Sequence, residues 1–261
     1  LLRAGLDVHI KGTTMASNVS LLSVAARHSL RGMVRLLLTY GANPMTPLRR
    51  NSTALHFAVS FGDEAAVNLL IDAVPAGTER FLVSTKTDSG VTPFHLAAQY
   101  ATPGVLKRLV STGGVPDVNI PLPDGTTPLL LAARAVQEAV KNEIEAKTRK
   151  ASIAEEKGKP TEPDRTPFPF MLYERSAETD LTLATRKRVT AEARYREVHS
   201  YGADPTIPGP EGRTPEAVFQ AALDLLEKSK TDQERMYEAM QEAFDELDAE
   251  DIHAWAAEVR F

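Results

Sequence analysis

The apolar positions of the chain recur in two short phrases. The first phrase reads TPFHLAA at residues 92–98, with the related forms TALHFAV at 53–59 and TPLLLAA at 127–133. A weaker copy begins at Ser20 and a degenerate one at Thr214. The Thr or Ser that opens each phrase can cap a helix through its hydroxyl, and the small residues that follow allow such helices to pack closely. We therefore predict a short helix at each phrase.

A second phrase alternates with the first. It reads VRLLLTYGANP at residues 34–44 and is echoed at residues 106–113, at 198–205 and at the opening residues 1–8. Its Leu triplet supplies the apolar stripe of a second helix. A glycine with positive φ is expected to end this helix in three copies, at Gly41, Gly113 and Gly202.

The spacing of the phrases is close to regular. Their first residues lie at 20, 53, 92, 127 and 214, so the intervals are 33, 39, 35 and 87. Two alternating phrases at this interval resemble the ankyrin-repeat family, whose unit spans about 33 residues. The resemblance covers residues 1–134 and 195–222. It implies an all-α ankyrin-repeat solenoid with short hairpin loops and about five units, the first incomplete, which must stack because one unit cannot bury both faces.

The interval of 87 exceeds one repeat by 54 residues, which we place between the two helices of that repeat. Residues 135–157 are rich in Ala, Glu and Lys and contain no Gly or Pro, so they predict a helix. A Pro-rich linker follows at 158–170, and residues 177–200 again suit a helix. We expect residues 135–194 to form a long helical hairpin with a Pro-rich tip.

This inserted arm has two interpretations. It is either a tolerated insertion with no role or an extra contact surface, because exposed aromatic residues near Pro and Arg are typical binding anchors. The aromatic residues that would form this surface are Phe168, Phe170 and Tyr173.

The C-terminal part is expected to finish the stack. Residues 195–230 form the last repeat or repeats, and residues 231–261 form an acidic amphipathic helix with 10 Asp and Glu against 2 Arg. A helical cap with one solvated face is what the end of a repeat stack requires; a helix that docks on a partner is the alternative. Phe219 occupies a position where the family pattern has a small Ala, which argues against close stacking beyond it.

Composition changes this picture little. The net charge of −5 divides into +4 over residues 1–134 and −9 over residues 135–261, so neither half is basic enough to indicate nucleic acid as the main partner. The absence of cysteine excludes disulfides and thiolate metal sites and fits an intracellular location, cytoplasmic or nuclear. No apolar run approaches the ~20 residues of a membrane span. The chain opens within a phrase, so we expect it to be a piece of a longer protein.

The sequence offers no catalytic constellation. His56 and His95 share one position of the first phrase, and the resemblance implies a structural role for both. No phosphate-binding loop, nucleophile elbow or zinc-binding helix motif occurs. We therefore expect no enzyme activity, cofactor, metal or small-molecule substrate. The short basic clusters at 49–50 and 186–188 leave nucleic-acid binding through the arm as an alternative.

The resemblance also implies where a partner would bind. Ankyrin-like stacks present a concave face made from the loop before each first helix and from the end of that helix. Aromatic and Arg residues, which dominate binding energies at interfaces, occupy several of these positions. The candidate residues are Arg27, His28, Arg49, Arg50, Phe61, Asp88, Gln99, Tyr100, Asp124 and Arg134.

Phe61 and Tyr100 are either exposed for a partner or packed against neighbouring loops. The first interpretation predicts a protein-interaction module, a scaffold or an adaptor, whose partner the sequence does not identify. A regulatory region of a larger enzyme, with the catalytic domain outside this chain, is the alternative from another class.

Overall fold

The computed structural model describes residues 11–14, 17–157, 168–230 and 234–235, and side chains at 20–154, 176–230 and 234–235. The chain divides into two compact units, Leu1–Ala222 and Leu223–Phe261. In the second unit the described residues include the end of a helix, where Lys230 Nζ lies 2.7 Å from Glu227 Oε2. The C-terminal helix predicted for residues 231–261 lies outside the described residues, except for two helical positions at 234–235.

The described residues of the first unit form successive pairs of helices. The helices of the first three pairs are α1 (Leu21–Arg27) with α2 (Arg31–Thr39), α3 (Ala54–Ser60) with α4 (Glu64–Asp72), and α6 (Pro93–Tyr100) with α7 (Pro103–Ser111), and the short helix α5 (Glu79–Ser84) precedes α6. The last helices are α8 (Pro128–Lys157), α9 (Phe168–Ser200) and α10 (Pro215–Lys228), which begins in the first unit and ends in the second.

The predicted all-α class is confirmed, with one short addition. Strands β1 (Lys11–Thr14) and β2 (Ser17–Ser20) pair antiparallel, with Lys11 opposite Ser20. Ser20 also caps α1, since its hydroxyl accepts a hydrogen bond from Ser23 N at 3.1 Å.

The first helices of the pairs contact one another in the order α1, α3, α6 and α8, and the second helices in the order α2, α4, α7 and α9. Small side chains allow the close approach. Ala residues at the paired positions of the phrase are fully buried, namely Ala58, Ala97, Ala98, Ala132 and Ala133. Positive φ at the glycines that end α2, α7 and α9 is confirmed, at 86°, 67° and 87°.

The histidine of the phrase connects one pair to the next. His95 Nδ1 accepts a hydrogen bond from Thr92 N at 3.3 Å, so Nε2 carries the proton and donates to Ile120 O at 3.0 Å. His56 repeats the arrangement with Thr53 N at 3.1 Å and Val91 O at 3.3 Å. Both imidazoles are almost fully buried, and their structural role is confirmed.

The fourth phrase carries Leu130 where the histidine would stand. Leu130 is buried, and the backbone of Gly209 in the following loop lies directly against it. A Cβ on Gly209 would come within 2.2 Å of Leu130 Cδ2, so this contact requires glycine. An apolar contact therefore replaces the polar link at this step of the stack.

The interval of 39 residues between the second and third phrases contains α5, which the sequence pattern did not predict. Leu82 and Val83 of α5 are buried, and Gly114 lies against this helix. A Cβ on Gly114 would come within 2.8 Å of Val83 and 2.9 Å of Arg80 O, so the approach is too close for a side chain. The extra residues are thus part of the packed structure.

The last pair is the longest, because α8 has 30 residues and α9 has 33. The prediction that the linker extends to residue 170 was wrong, since α9 already begins at Phe168. Pro169 lies in the first turn, where a helix has no need of its missing N–H. The Pro-rich tip at residues 158–167 lies outside the described residues.

Phe219 of α10 does not stack as the family's small residue would. Its ring lies parallel to that of Tyr195 on α9, with centroids 4.0 Å apart, and Tyr195 donates a hydrogen bond to Glu216 Oε2 at 2.8 Å. Both aromatic side chains are buried. A large stacked ring therefore fills the place where a repeat pattern would continue.

Acid is expected to destabilise the first unit through its two buried histidines. Burial lowers the pKa of His56 and of His95 to about 4, from 6.5. The unfolded chain takes up these protons below about pH 6.5, so stability is complete above that pH and falls towards pH 4. At pH 5 the loss is about 2 kcal/mol for each histidine. Urea unfolding followed by circular dichroism between pH 7 and pH 5 measures it.

The variant His95→Gln provides the control for that measurement, because it cannot be protonated. Its stability should be lower than wild type at pH 7 and should fall less steeply with acid. An equal slope in both proteins would show that His95 does not account for the acid sensitivity.

Candidate protein-binding site

Two aromatic side chains lie at equivalent ends of neighbouring helices. Phe61 caps the C-terminus of α3 and is 57% exposed, and Tyr100 is the last residue of α6 and is 54% exposed. The next residue after Phe61, Gly62, lies against the main chain of Tyr100. The two rings thus occupy one edge of consecutive helix pairs and are not covered by neighbouring loops.

The first pair contributes polar groups at the same position. Arg27 is the last residue of α1 and His28 is its C-cap, and both are exposed. Because α1 packs directly on α3, these side chains continue the row that Phe61 and Tyr100 define.

The predicted loop residues form a second line of contacts. Arg50 has a left-handed backbone, with φ of 59°, and its carbonyl accepts a hydrogen bond from Asp88 N at 3.0 Å. The following residue, Asn51, donates to Lys86 O at 2.7 Å. These main-chain links hold two successive loops together while Arg49, Arg50 and Asp88 remain exposed.

Asp124 lies in the next loop along. Its Oδ1 accepts a hydrogen bond from Thr126 N at 2.8 Å. Hydrogen bonds from Thr126 lower the pKa of this exposed carboxylate, and the charge of Arg134 makes a smaller contribution. Hydrogen bonds therefore link the loop of Arg50 to the loop of Asp88. Asp124 of the following loop lies close enough to Arg134 for their charges to interact.

Arg134 departs from the predicted pattern. It was expected at a helix end, but α8 continues for 23 residues beyond it, so Arg134 lies within a helix. Its guanidinium is half-buried and lies 3.5 Å from the exposed Glu211. A solvent-accessible pair at this distance contributes little to stability, so Arg134 remains available to another carboxylate.

A groove of about 820 Å³ brings three predicted residues together with others that the sequence did not indicate. The predicted ones are Gln99, Tyr100 and Arg134. The rest of the lining comes from α8 and α9 and comprises Ala135, Glu138, Ala139, Asn142, Leu183, Arg186, Lys187, Thr190 and Arg194. The groove exists because the two helices continue past the end of α6 and form a wall beside it.

Arg194 is the most unusual residue of this lining. Its side chain is 8% exposed, Nη1 donates a hydrogen bond to Gln99 O at the end of α6, and Nε is buried without a partner. Burial lowers the pKa of Arg194 to about 10, so the guanidinium is charged at neutral pH. Sequence spacing could not reveal this contact, because 95 residues separate its two partners.

A buried ion triad fixes α9 against α8 next to the groove. Arg188 Nε donates to Glu143 Oε2 at 2.6 Å, and its Nη1 donates to Glu192. Burial would lower the pKa of Arg188, but the hydrogen bonds and charges of both carboxylates outweigh it and raise the pKa. Of the basic run at 186–188, the structure thus uses Arg188 internally and leaves Arg186 and Lys187 exposed.

The arm residues predicted for partner contact are Phe168, Phe170 and Tyr173. They belong to α9, and their side chains lie outside the described residues. Within the described segments, no group of three His, Asp or Glu side chains is placed to hold a metal ion. None of the helices described there combines the length and apolar character needed to cross a bilayer.

Comparison with known proteins agrees with this architecture over part of the chain. No family model matches. The chain is similar to two ankyrin-repeat proteins. It is 33% identical over 98 residues to human neurogenic locus notch homolog protein 4, covering 38% of the chain and 5% of the relative. It is 30% identical over 111 residues to the mouse B-cell lymphoma 3 protein homolog, covering 42% of the chain and 24% of the relative.

The ion triad predicts a large difference between two arginine substitutions. Arg188→Met leaves Glu143 buried without a cation and leaves Glu192 only its 3.6 Å contact with exposed Arg196, which should cost about 3–5 kcal/mol of unfolding free energy. Arg149→Met removes an exposed ion pair with Asp180, at 3.3 Å, and should cost less than about 1 kcal/mol. Urea unfolding of the two variants compares them, and similar losses would show that the triad does not anchor α9.

Proposed function

We propose that this chain is an ankyrin-repeat solenoid that binds a protein partner along the row formed by its first-helix ends and the adjoining loops. The helix pairs, the capped phrases and the partial similarity to two ankyrin-repeat proteins support the fold assignment. The whole protein would serve as a scaffold or an adaptor, in the cytoplasm or the nucleus.

One observation carries the binding role. Phe61 and Tyr100 are more than half exposed at equivalent positions of consecutive pairs, although a surface that needs only to face water has no use for two aromatic rings in line. Aromatic residues beside Arg are the side chains that most often dominate the energy of a protein interface. Arg27 and His28 extend the row at one end, and Gln99 and Arg134 adjoin it at the other.

The environment of the two buried histidines favours a binding role for this chain over a catalytic one. His56 and His95 are buried, neutral at pH 7 and engaged at both ring nitrogens, so neither is available to transfer protons to a substrate. The matched segments span 5% and 24% of the two relatives, so a regulatory role beside a catalytic domain elsewhere in a longer protein remains compatible with this proposal.

The aromatic row predicts a specific loss of binding. Partners captured from lysate on the immobilised chain are first identified by mass spectrometry, and the affinity of the purified partner is then measured by calorimetry. The double variant Phe61→Ser with Tyr100→Ser should weaken that affinity by at least about a hundredfold, since truncation of an aromatic hot spot typically costs ~2 kcal/mol or more.

Phe81→Ser is the matched control. Phe81 is 52% exposed on α5, outside the row, so its loss removes one exposed aromatic ring at a different place. The control variant should bind as wild type does. Unchanged affinity of the row variant, or an equal loss in the control, would exclude the proposed surface.

A further inference from the structure

We propose that the groove between the end of α6 and the walls of α8 and α9 binds an acidic peptide segment of the partner, in which Asp or Glu residues flank an apolar side chain. The inference rests on the proposed function, because it assumes a protein partner. It goes beyond that function in two ways: it specifies the chemistry of the bound segment, and it adds a second contact site. This site is built by the long helices α8 and α9, which extend beyond the repeat pattern.

The charge of the groove is mostly positive. Its cations are Arg134, Arg186, Lys187 and Arg194, and its single carboxylate is the exposed Glu138. Among the residues that the structure describes, Arg186 and Lys187 make no ion pair, and Arg134 has only its 3.5 Å contact with exposed Glu211. The lining therefore carries an excess of positive charge that its own side chains do not neutralise.

The buried guanidinium of Arg194 indicates that this charge is directed at a ligand. A charged group removed from water is costly unless it is fully hydrogen-bonded. Its link to Gln99 O caps the last turn of α6, but its Nε remains without a partner. A carboxylate in the groove would place the opposite charge beside this guanidinium.

The apolar part of the lining favours a peptide over a nucleic acid. Tyr100 and Leu183 are each more than half exposed, and Ala135 and Ala139 lie in the lining beside them. Recognition of nucleic acid is dominated by phosphate contacts along an extended basic track, whereas four cations around an apolar floor suit a short segment with one apolar anchor. A volume of about 820 Å³ accommodates several residues.

Selection from a random peptide display library on the immobilised chain tests the inference. Enriched peptides should carry Asp or Glu next to Leu, Phe or Met. A fluorescein-labelled enriched peptide and its Asn and Gln analogue are then compared by fluorescence anisotropy. The analogue should bind at least about tenfold more weakly, and the difference should shrink as NaCl rises from ~50 to ~300 mM, because charge pairs in a groove open to solvent are screened.

Two charge-reversed variants locate the binding. Arg186→Glu with Lys187→Glu changes exposed side chains of the groove and should weaken the acidic peptide by at least about tenfold. Arg35→Glu with Lys107→Glu changes the net charge equally on the exposed faces of α2 and α7 and should leave the affinity within about twofold. The variant Arg194→Met should also weaken the peptide, and its urea unfolding curve shows whether the fold is retained.

The outcomes separate this inference from the proposed function. Loss of peptide binding in the groove variant alone supports the inference. Enriched peptides without acidic residues, equal losses in both charge-reversed variants, or an oligonucleotide duplex that binds the groove more tightly than any peptide would overturn it. If the partner of the intact chain is lost with the Phe61 and Tyr100 variant but retained with the groove variant, the proposed function stands and the acidic groove does not.

Discussion

The contact between successive helix pairs depends on a hydrogen-bond relay that crosses from the caps of α3 and α6 to the loops that follow. A threonine begins the helix, a buried histidine accepts from its N–H, and the same imidazole donates to a carbonyl of the following connection. The relay requires a neutral ring and a following repeat in register. The cap is satisfied within its own helix, but the second ring nitrogen of the histidine finds its acceptor only in the following connection, which is a local expression of stacking in repeat proteins.

The relay ends at α8, where Leu130 takes the place of the histidine. Leu130 makes an apolar contact with Gly209, which lacks the directionality of a hydrogen bond. The following helices instead rely on the triad around Arg188 and on the link from Arg194 to the end of α6. The groove thus arises where a regular repeat contact gives way to contacts between long helices.

Residues that act within one repeat could be predicted from the sequence. Of those that act across repeats, the two histidines were expected from the family resemblance, and the others were not. Thr92, Pro93 and Gly113 specify a helix start and a helix end through their own backbone preferences, so their conformations followed from spacing. The short helix α5 and the strands before α1 depend on packing partners elsewhere. In the sequence Arg194 is indistinguishable from other charged residues of the arm, because its partner, Gln99 O, lies 95 positions away. The exposure of Phe61 and Tyr100 was likewise a question that only the packed structure could answer.

The triad at Glu143 has a mechanical consequence. Beyond this residue α8 runs 14 further residues to Lys157, a length of roughly 21 Å at the α-helical rise. Arg188 holds α8 against α9 at Glu143, and two ion pairs, Arg149 with Asp180 and Lys150 with Glu178, continue this contact further along the helices. A tilt of α8 by about 10° at Glu143 would displace its far end by roughly 4 Å. The triad and these ion pairs together therefore set how precisely the end of α8 is positioned.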